Sequence, residues 1–146
     1  MTATAQTCLF TEGQVTLPEG YQDRTVNVFT LPGINAPAFN ISRDALNDAE
    51  NLNNYIDRQL ELMAQHLKGW KQTKRESAFL GDSLLQGESV NASYLRDGKR
   101  IFQQQAVFNT ISSHIVVFTM SASAELNEAD TTLFQRLLVS FRYNKQ

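Results

Sequence analysis

The chain has 146 residues, 42% hydrophobic and 19% charged, with a formal net charge of −2. That length and composition fit one globular domain over residues 1–146 with a sizeable core. A slightly acidic balance, with no basic cluster longer than Lys74-Arg75 or Lys99-Arg100, argues against nucleic acid or an anionic membrane surface as the main partner, because phosphate backbones require a basic field.

A single cysteine, Cys8, cannot close an internal disulfide, so nothing requires an oxidising compartment, and a buried thiol in a strand is its simplest role. The start, MTATAQT, lacks a basic segment followed by an apolar one, so no signal peptide is expected. The longest apolar run, residues 115–120, is strand-length, whereas a membrane helix needs about 18 apolar residues. The expectation is a soluble cytoplasmic protein with no direct membrane insertion.

Taken in order, residues 8–10 and 14–17 read as short strands around Glu12-Gly13, and Pro18-Glu19-Gly20 turns the chain. Residues 26–31 and 38–43 read as a strand pair, interrupted by Pro32, Gly33 and Pro37, around which the rest of the chain is organised. Alternation sorts their side chains into two sets. Phe29, Leu31, Phe39 and Ile41 are large and apolar and are expected in a core. Val26, Val28, Thr30, Ala38, Asn40 and Ser42 are small or β-branched, uncharged and half polar. Either this second face is a mildly apolar solvent face, or it meets a partner that is neither water nor an ordinary core.

A helix follows, capped by Asn47 or Asp48 and stopped by Gly69, with Lys68 suited to its negative end. Leu52, Tyr55, Ile56, Leu60, Met63 and Leu67 form its apolar stripe, and Gln59 sits within that stripe. Residues 70–79 then read as an exposed strand, followed by strands at 84–95, 101–109 and 114–121, with turns at Asp97-Gly98 and Ser112-Ser113. Asn127-Glu128-Ala129-Asp130 opens a last helix with Leu133, Phe134, Leu137, Leu138 and Phe141 on one side. Strands, helix, strands and helix predict an α+β fold, an antiparallel sheet of about six strands or more packed with helices.

Motifs for catalysis are lacking. Gly81-Asp82-Ser83 and Gly87-Glu88-Ser89 lack the closing glycine of a nucleophile elbow, and no phosphate loop is present. His66 and His114 stand far apart, and no Cys or His lies at metal-ligand spacing. Glutamine is the unusual feature. Gln103-Gln104-Gln105 interrupts a strand where β-branched or aromatic residues would serve better. By alternation Gln103 and Gln105 share a face with Ile101 and Val107, and Gln104 faces the other way. A surface or internally satisfied amide is the simpler reading for Gln104. For Gln59 and Gln105 the alternative is an uncharged contact to an apolar partner that offers a few polar groups.

The order Leu17-Pro18-Glu19-Gly20-Tyr21, Val26-Asn27-Val28-Phe29-Thr30-Leu31-Pro32, Phe39-Asn40-Ile41-Ser42-Arg43-Asp44 and Tyr55-Ile56-Asp57-Arg58-Gln59-Leu60 resembles the Eag chaperones of bacterial type VI secretion. These are a branch of the DcrB-like families with a PsbP-like fold, and their SciW-type members look most similar. The resemblance covers almost the whole chain and is most specific over Phe39–Asp44 and Arg58-Gln59-Leu60. It implies a homodimer whose curved sheets hold the N-terminal transmembrane helices of a PAAR or Rhs effector before that effector is loaded on the secretion spike. It also implies no cofactor and no catalysis. The residues matching the family's effector-binding face are Val26, Val28, Ala38, Asn40, Ser42, Gln59, Leu67 and Gln105. The family commonly has serine where Ala38 stands and an aliphatic residue where Asn40 stands.

Overall fold

A computed structural model of the chain describes residues 6–33 and 35–144. Residues 1–5 of the polar N-terminal stretch read against a leader, and Ile34 between the two organising strands, lie outside the described residues. In chain order the elements are β1 (Thr7–Phe10), β2 (Gly13–Thr16), β3 (Asn27–Phe29), β4 (Ala38–Ala45), α1 (Leu52–His66), β5 (Lys68–Leu80), β6 (Leu85–Arg96), β7 (Lys99–Asn109), β8 (His114–Ala122) and α2 (Glu128–Val139). β1 and β2 form their own two-stranded sheet, and the other six strands form a sheet of order β3-β4-β8-β7-β6-β5. Every pairing is antiparallel. The architecture is α+β, as the pattern of elements predicts.

Turn chemistry explains the long hairpins. Asp97 and Gly98 both take positive φ, which a two-residue connection between right-twisting strands requires. Between β7 and β8, Ser112 takes positive φ, and the Asn109 amide donates to the Ser112 and His114 carbonyls. Gly87 on β6 has a different reason. A Cβ there would lie 2.0 Å from the Val107 carbonyl oxygen and 2.6 Å from the Phe108 ring, so only glycine lets β7 pass.

The two helices cover opposite faces of the sheet. On one, Phe134 and Leu138 of α2 bury against Ala78, Leu80, Ala106, Phe108, Phe118 and Met120. Phe39 stacks on Phe134 with ring centroids 6.2 Å apart, and Phe108 meets Phe118 edge-on at 6.0 Å. On the other, Tyr55 and Ile56 of α1 bury against Val90, Val107, Ile115 and Val117.

Several local expectations are corrected. The N-cap of α1 is Asn51, whose side chain accepts from the Asn54 N–H in a reciprocal capping box, and the Asn47 N–H instead donates to Glu50. The helix ends at His66 with Leu67 as its cap, so Gly69 falls inside β5 rather than stopping the helix. The first strand of the organising pair shortens to three residues and lies at the sheet edge. Phe29 and Leu31 are therefore 47% and 56% exposed rather than in the core. The physical reason is reach: Phe39 and Ile41 on β4 pack against the α2-side core, and β3 stands one strand farther out.

Candidate functional site

The sheet register turns the face under α1 into rows of side chains. Val28 lies opposite Asn40, Asn40 opposite Thr119, Thr119 opposite Gln105, and Gln105 opposite Val90. The neighbouring row runs Ala38, Ser121, Gln103, Ala92, and on the other side runs Ser42, Val117, Val107. One sheet face thus grades from a valine-rich floor to a strip of small and amide side chains. Across it, the Gln105 amide donates to the Thr119 hydroxyl at 3.2 Å.

α1 closes over the valine-rich end only. Its N-terminal half is held by a set of polar contacts. The buried Tyr55 hydroxyl donates to the Asp44 carboxylate at 2.8 Å, and the Arg58 guanidinium lies 5.2 Å from the Tyr55 ring centroid. Arg58 grips Glu50 with two parallel bonds of 2.8 and 3.0 Å, and Arg75 of β5 ties Glu88 to Asp57 of the helix. Burial, then the Asp44 carboxylate, push the Tyr55 phenol well above the ordinary tyrosine range. The bond from Arg58, then the Asn47 N–H, hold the Glu50 carboxyl down at about 2. These charges serve to place the helix.

Between α1 and the sheet lies a cleft of about 440 Å3, lined by Tyr55 and Ile56 and by residues farther along the helix. Ile56, Leu60, Met63, Val90, Val107 and Val117 make it apolar, while Ser42, Gln59 and Gln105 supply uncharged polar groups. Arg24, Arg43 and Asp44 mark its charged end. Of the eight residues singled out by resemblance, Val26, Ser42, Gln59 and Gln105 line this cleft. Val28, Ala38 and Asn40 continue the same sheet face beyond it, and Val26 and Val28 are 52% and 65% exposed. Leu67 caps α1, half-buried, and is absent from the lining. Thr119, the hydrogen-bond partner of Gln105, was not picked out from sequence, although alternation along β8 places it with Val117 and Ser121. Leu60 and Met63, read as part of the helix's apolar stripe, line the cleft, and Leu60 also packs against the core under α1.

Among the described residues no group of three His, Cys, Asp or Glu side chains is placed to hold a metal ion. Nor is any described helix long and apolar enough to cross a membrane.

Comparison with known proteins places this geometry in a family. The family model described as DcrB matches residues 12–140. The chain belongs to the DcrB family. A Pseudomonas aeruginosa protein named Effector EagT6 is 38% identical over 68 residues, which are 44% of this chain and 46% of that protein. The match thus spans just under half the length of that curated relative. Among solved structures, a Pseudomonas aeruginosa protein of unknown function, PA94, described as a putative regulator, superposes over 99% of this chain and 100% of its own, with TM-score 0.75 and 20% identity. It shares the fold. Cyanobacterial PsbP from Synechocystis aligns over 94% of this chain and 89% of its own with TM-score 0.46 and 12% identity.

Proposed function

We infer that this member of the DcrB family is a non-enzymatic chaperone for a type VI secretion effector. Acting in the cytoplasm as a homodimer, it shields the N-terminal transmembrane helices of a PAAR or Rhs effector before loading on the spike. The observation that carries the reading is the α1-side face, where an apolar cleft is edged by the uncharged amides of Gln59 and Gln105. The similarity to the protein named Effector EagT6 supports the effector part of it.

The physics of the client fits such a surface. A membrane helix satisfies its own backbone, so outside the bilayer its liability is bare apolar side chains. Covering them contributes about 25 cal/mol per Å2 removed from water. Val26, Val28 and the valine floor give that cover. Ala38 and Ser42 allow close approach of a helix backbone, and Gln59, Gln105, Asn40 and Ser42 stand in for the hydrogen bonds a neighbouring helix offers in a bilayer, roughly 0.6–2 kcal/mol each. Such a face accepts apolar helices without demanding one sequence.

Co-expression of the tagged chain with the N-terminal segment of a candidate effector, with and without its apolar helices, tests this directly. Capture should require those helices and fail for Val26→Asp or Gln59→Ala. Capture that ignores the helices moves the interface to the effector's folded part. The bounded cleft also favours a second reading, a small-molecule or peptide-binding adaptor, since its volume lies in the range of ordinary ligand sites. A metabolite or lipid co-purifying with the chain, together with no capture of any effector, would select that reading.

A further inference from the structure

β5 is the last strand of the six-stranded sheet and pairs only with β6. Its register slips twice before Lys74 and then runs unbroken over residues 74–80. Successive residues of an antiparallel strand turn their backbone groups to opposite sides, so along this regular stretch alternate N–H and C=O groups point away from β6. Over residues 74–79 none of these outer groups has a backbone partner among the described residues. Lys74, Glu76, Ser77 and Phe79 are all exposed. The strand at the other end of the sheet, β3, is only three residues long. A long free edge is a template for a further strand, and natural proteins guard such edges.

The guard here is charge of one sign. Lys68, Lys71 and Lys74 stand opposite Leu95, Ser93 and Asn91, alternate residues of β6, so the three ammonium groups share one face. Ser89, next in that alternation, stands opposite Ala106 of the α2-side core, which makes it the α2 face. Lys74 meets Glu76 at 3.3 Å in an exposed pair, and no described carboxylate lies within ion-pair distance of Lys68 or Lys71. A second copy of β5 would bring more lysines to this edge, and like charges across a strand pair are destabilising. An acidic strand meets the opposite sign. Beside the regular stretch, β5 and α2 leave a pocket of about 220 Å3, lined by residues 76–79 of the edge strand and by Gln135, Leu138 and Val139 of the helix. Ala78 and Leu138 are buried, whereas Glu76, Gln135 and Val139 are exposed, so the pocket reaches solvent. The Gly81 N–H donates to the Leu138 carbonyl at 2.8 Å, which fixes the end of α2 beside the end of β5.

We propose that the outer edge of β5 accepts an extended, acidic segment of another polypeptide as an added strand. Backbone bonds along residues 74–79 supply the affinity, and pockets for alternate side chains supply the selectivity. An apolar side chain opposite Ala78 enters the pocket between β5 and α2. The next residue on that face, opposite Glu76, is uncharged. The one after it, opposite Lys74, is acidic, and a further carboxylate reaches Lys71. On the other face, β-branched side chains of the segment pack beside Phe79, which is 50% exposed. The site lies at the opposite end of the strand order from β3 and does not depend on the chaperone reading.

The test is a titration of the isotope-labelled full chain at low salt, following backbone amide NMR signals and their hydrogen exchange. The probes are acetyl-Leu-Thr-Gln-Thr-Glu-Thr-Glu-amide and the same sequence reversed, one for each strand direction. One of the two should bind saturably and slow the exchange of alternate backbone amides within residues 74–79. Lys71→Glu together with Lys74→Glu, both exposed, should weaken that binding by about tenfold and leave the melting temperature unchanged. N-methylation of alternate peptide amides separates strand pairing from charge attraction. Methylating the set that faces β5 should abolish binding, and methylating the other set should leave it intact. The proposal is overturned if neither peptide saturates, if both methylated forms bind alike, if binding survives the double charge reversal, or if protection appears away from β5. A changed oligomeric state in the double variant would also overturn it, by assigning this edge to a second copy of the chain.

Discussion

The two faces of the six-stranded sheet are built from the same strands to opposite ends. Toward α2 the strands offer Leu80, Ala106, Phe108 and Met120, all fully buried, and the helix answers with Phe134 and Leu138. Toward α1 they offer valines at one end and Ser121, Thr119, Gln105 and Asn40 at the other, and the helix seals only the valine end. α2 lies down on its face, whereas α1 is pinned by charged contacts near its start and borders a cleft through Gln59, Leu60 and Met63. The contrast teaches a division of labour. Interdigitated aromatic packing resists any change of volume, while a face of small and amide side chains tolerates contact with something else.

That contrast makes unequal demands on substitution. Phe134→Ala, which empties the stacked position against Phe39, should cost about 3–5 kcal/mol in urea unfolding. Ile56→Ala, on the cleft side where α1 has room to settle, should cost nearer to ~2 kcal/mol; equal losses would erase the distinction between the faces. Tyr55→Phe removes a hydrogen bond to a carboxylate and should cost roughly 1.5–3 kcal/mol. Acid should act on the same end of α1. Glu50 has its carboxyl depressed in the folded chain, so its contribution is complete above its unfolded value and is lost as pH falls from about 4.5 toward about 2. Glu50→Gln should flatten that part of the stability–pH curve. Val28→Asp is expected to shift stability least, by within about 0.5 kcal/mol, because the side chain is exposed. Its effect should appear in effector capture, and unfolding of this variant would show that β3 belongs to the core after all.

Local pattern made much of this arrangement legible. Alternation separated Phe39 and Ile41 from Ala38, Asn40 and Ser42, and β4 presents those sets to opposite faces. Asp97-Gly98 placed the β6–β7 hairpin, and Asn127 with Asp130 placed the start of α2. What failed was whatever depends on partners distant in the chain. Nothing within residues 26–31 says that the strand will sit at an edge, so Phe29 and Leu31 read as core. Residues 47–54 carry four asparagines, and the choice of Asn51 as cap is made by its reciprocal bond with Asn54 and by Glu50 turning to Arg58. The burial of Gln104 rests on β6 bringing Ser89 beside it, fifteen residues upstream, which no reading of the glutamine run contains. The cleft was half visible: Gln59 and Gln105 stood out as misplaced amides, but the gap between helix and sheet is a property of their spacing in three dimensions.

Only Leu67 separates the last residue of α1 from the first of β5. The other end of the helix is tied down by Tyr55 and Arg58, and Asp57 is tied across to β5 itself. With one residue of slack and Asp57 paired to Arg75, a lid-like swing of α1 would have to break that ion pair. A guest in the cleft would meet a helix already tied at both ends, and would owe little of its affinity to ordering the host.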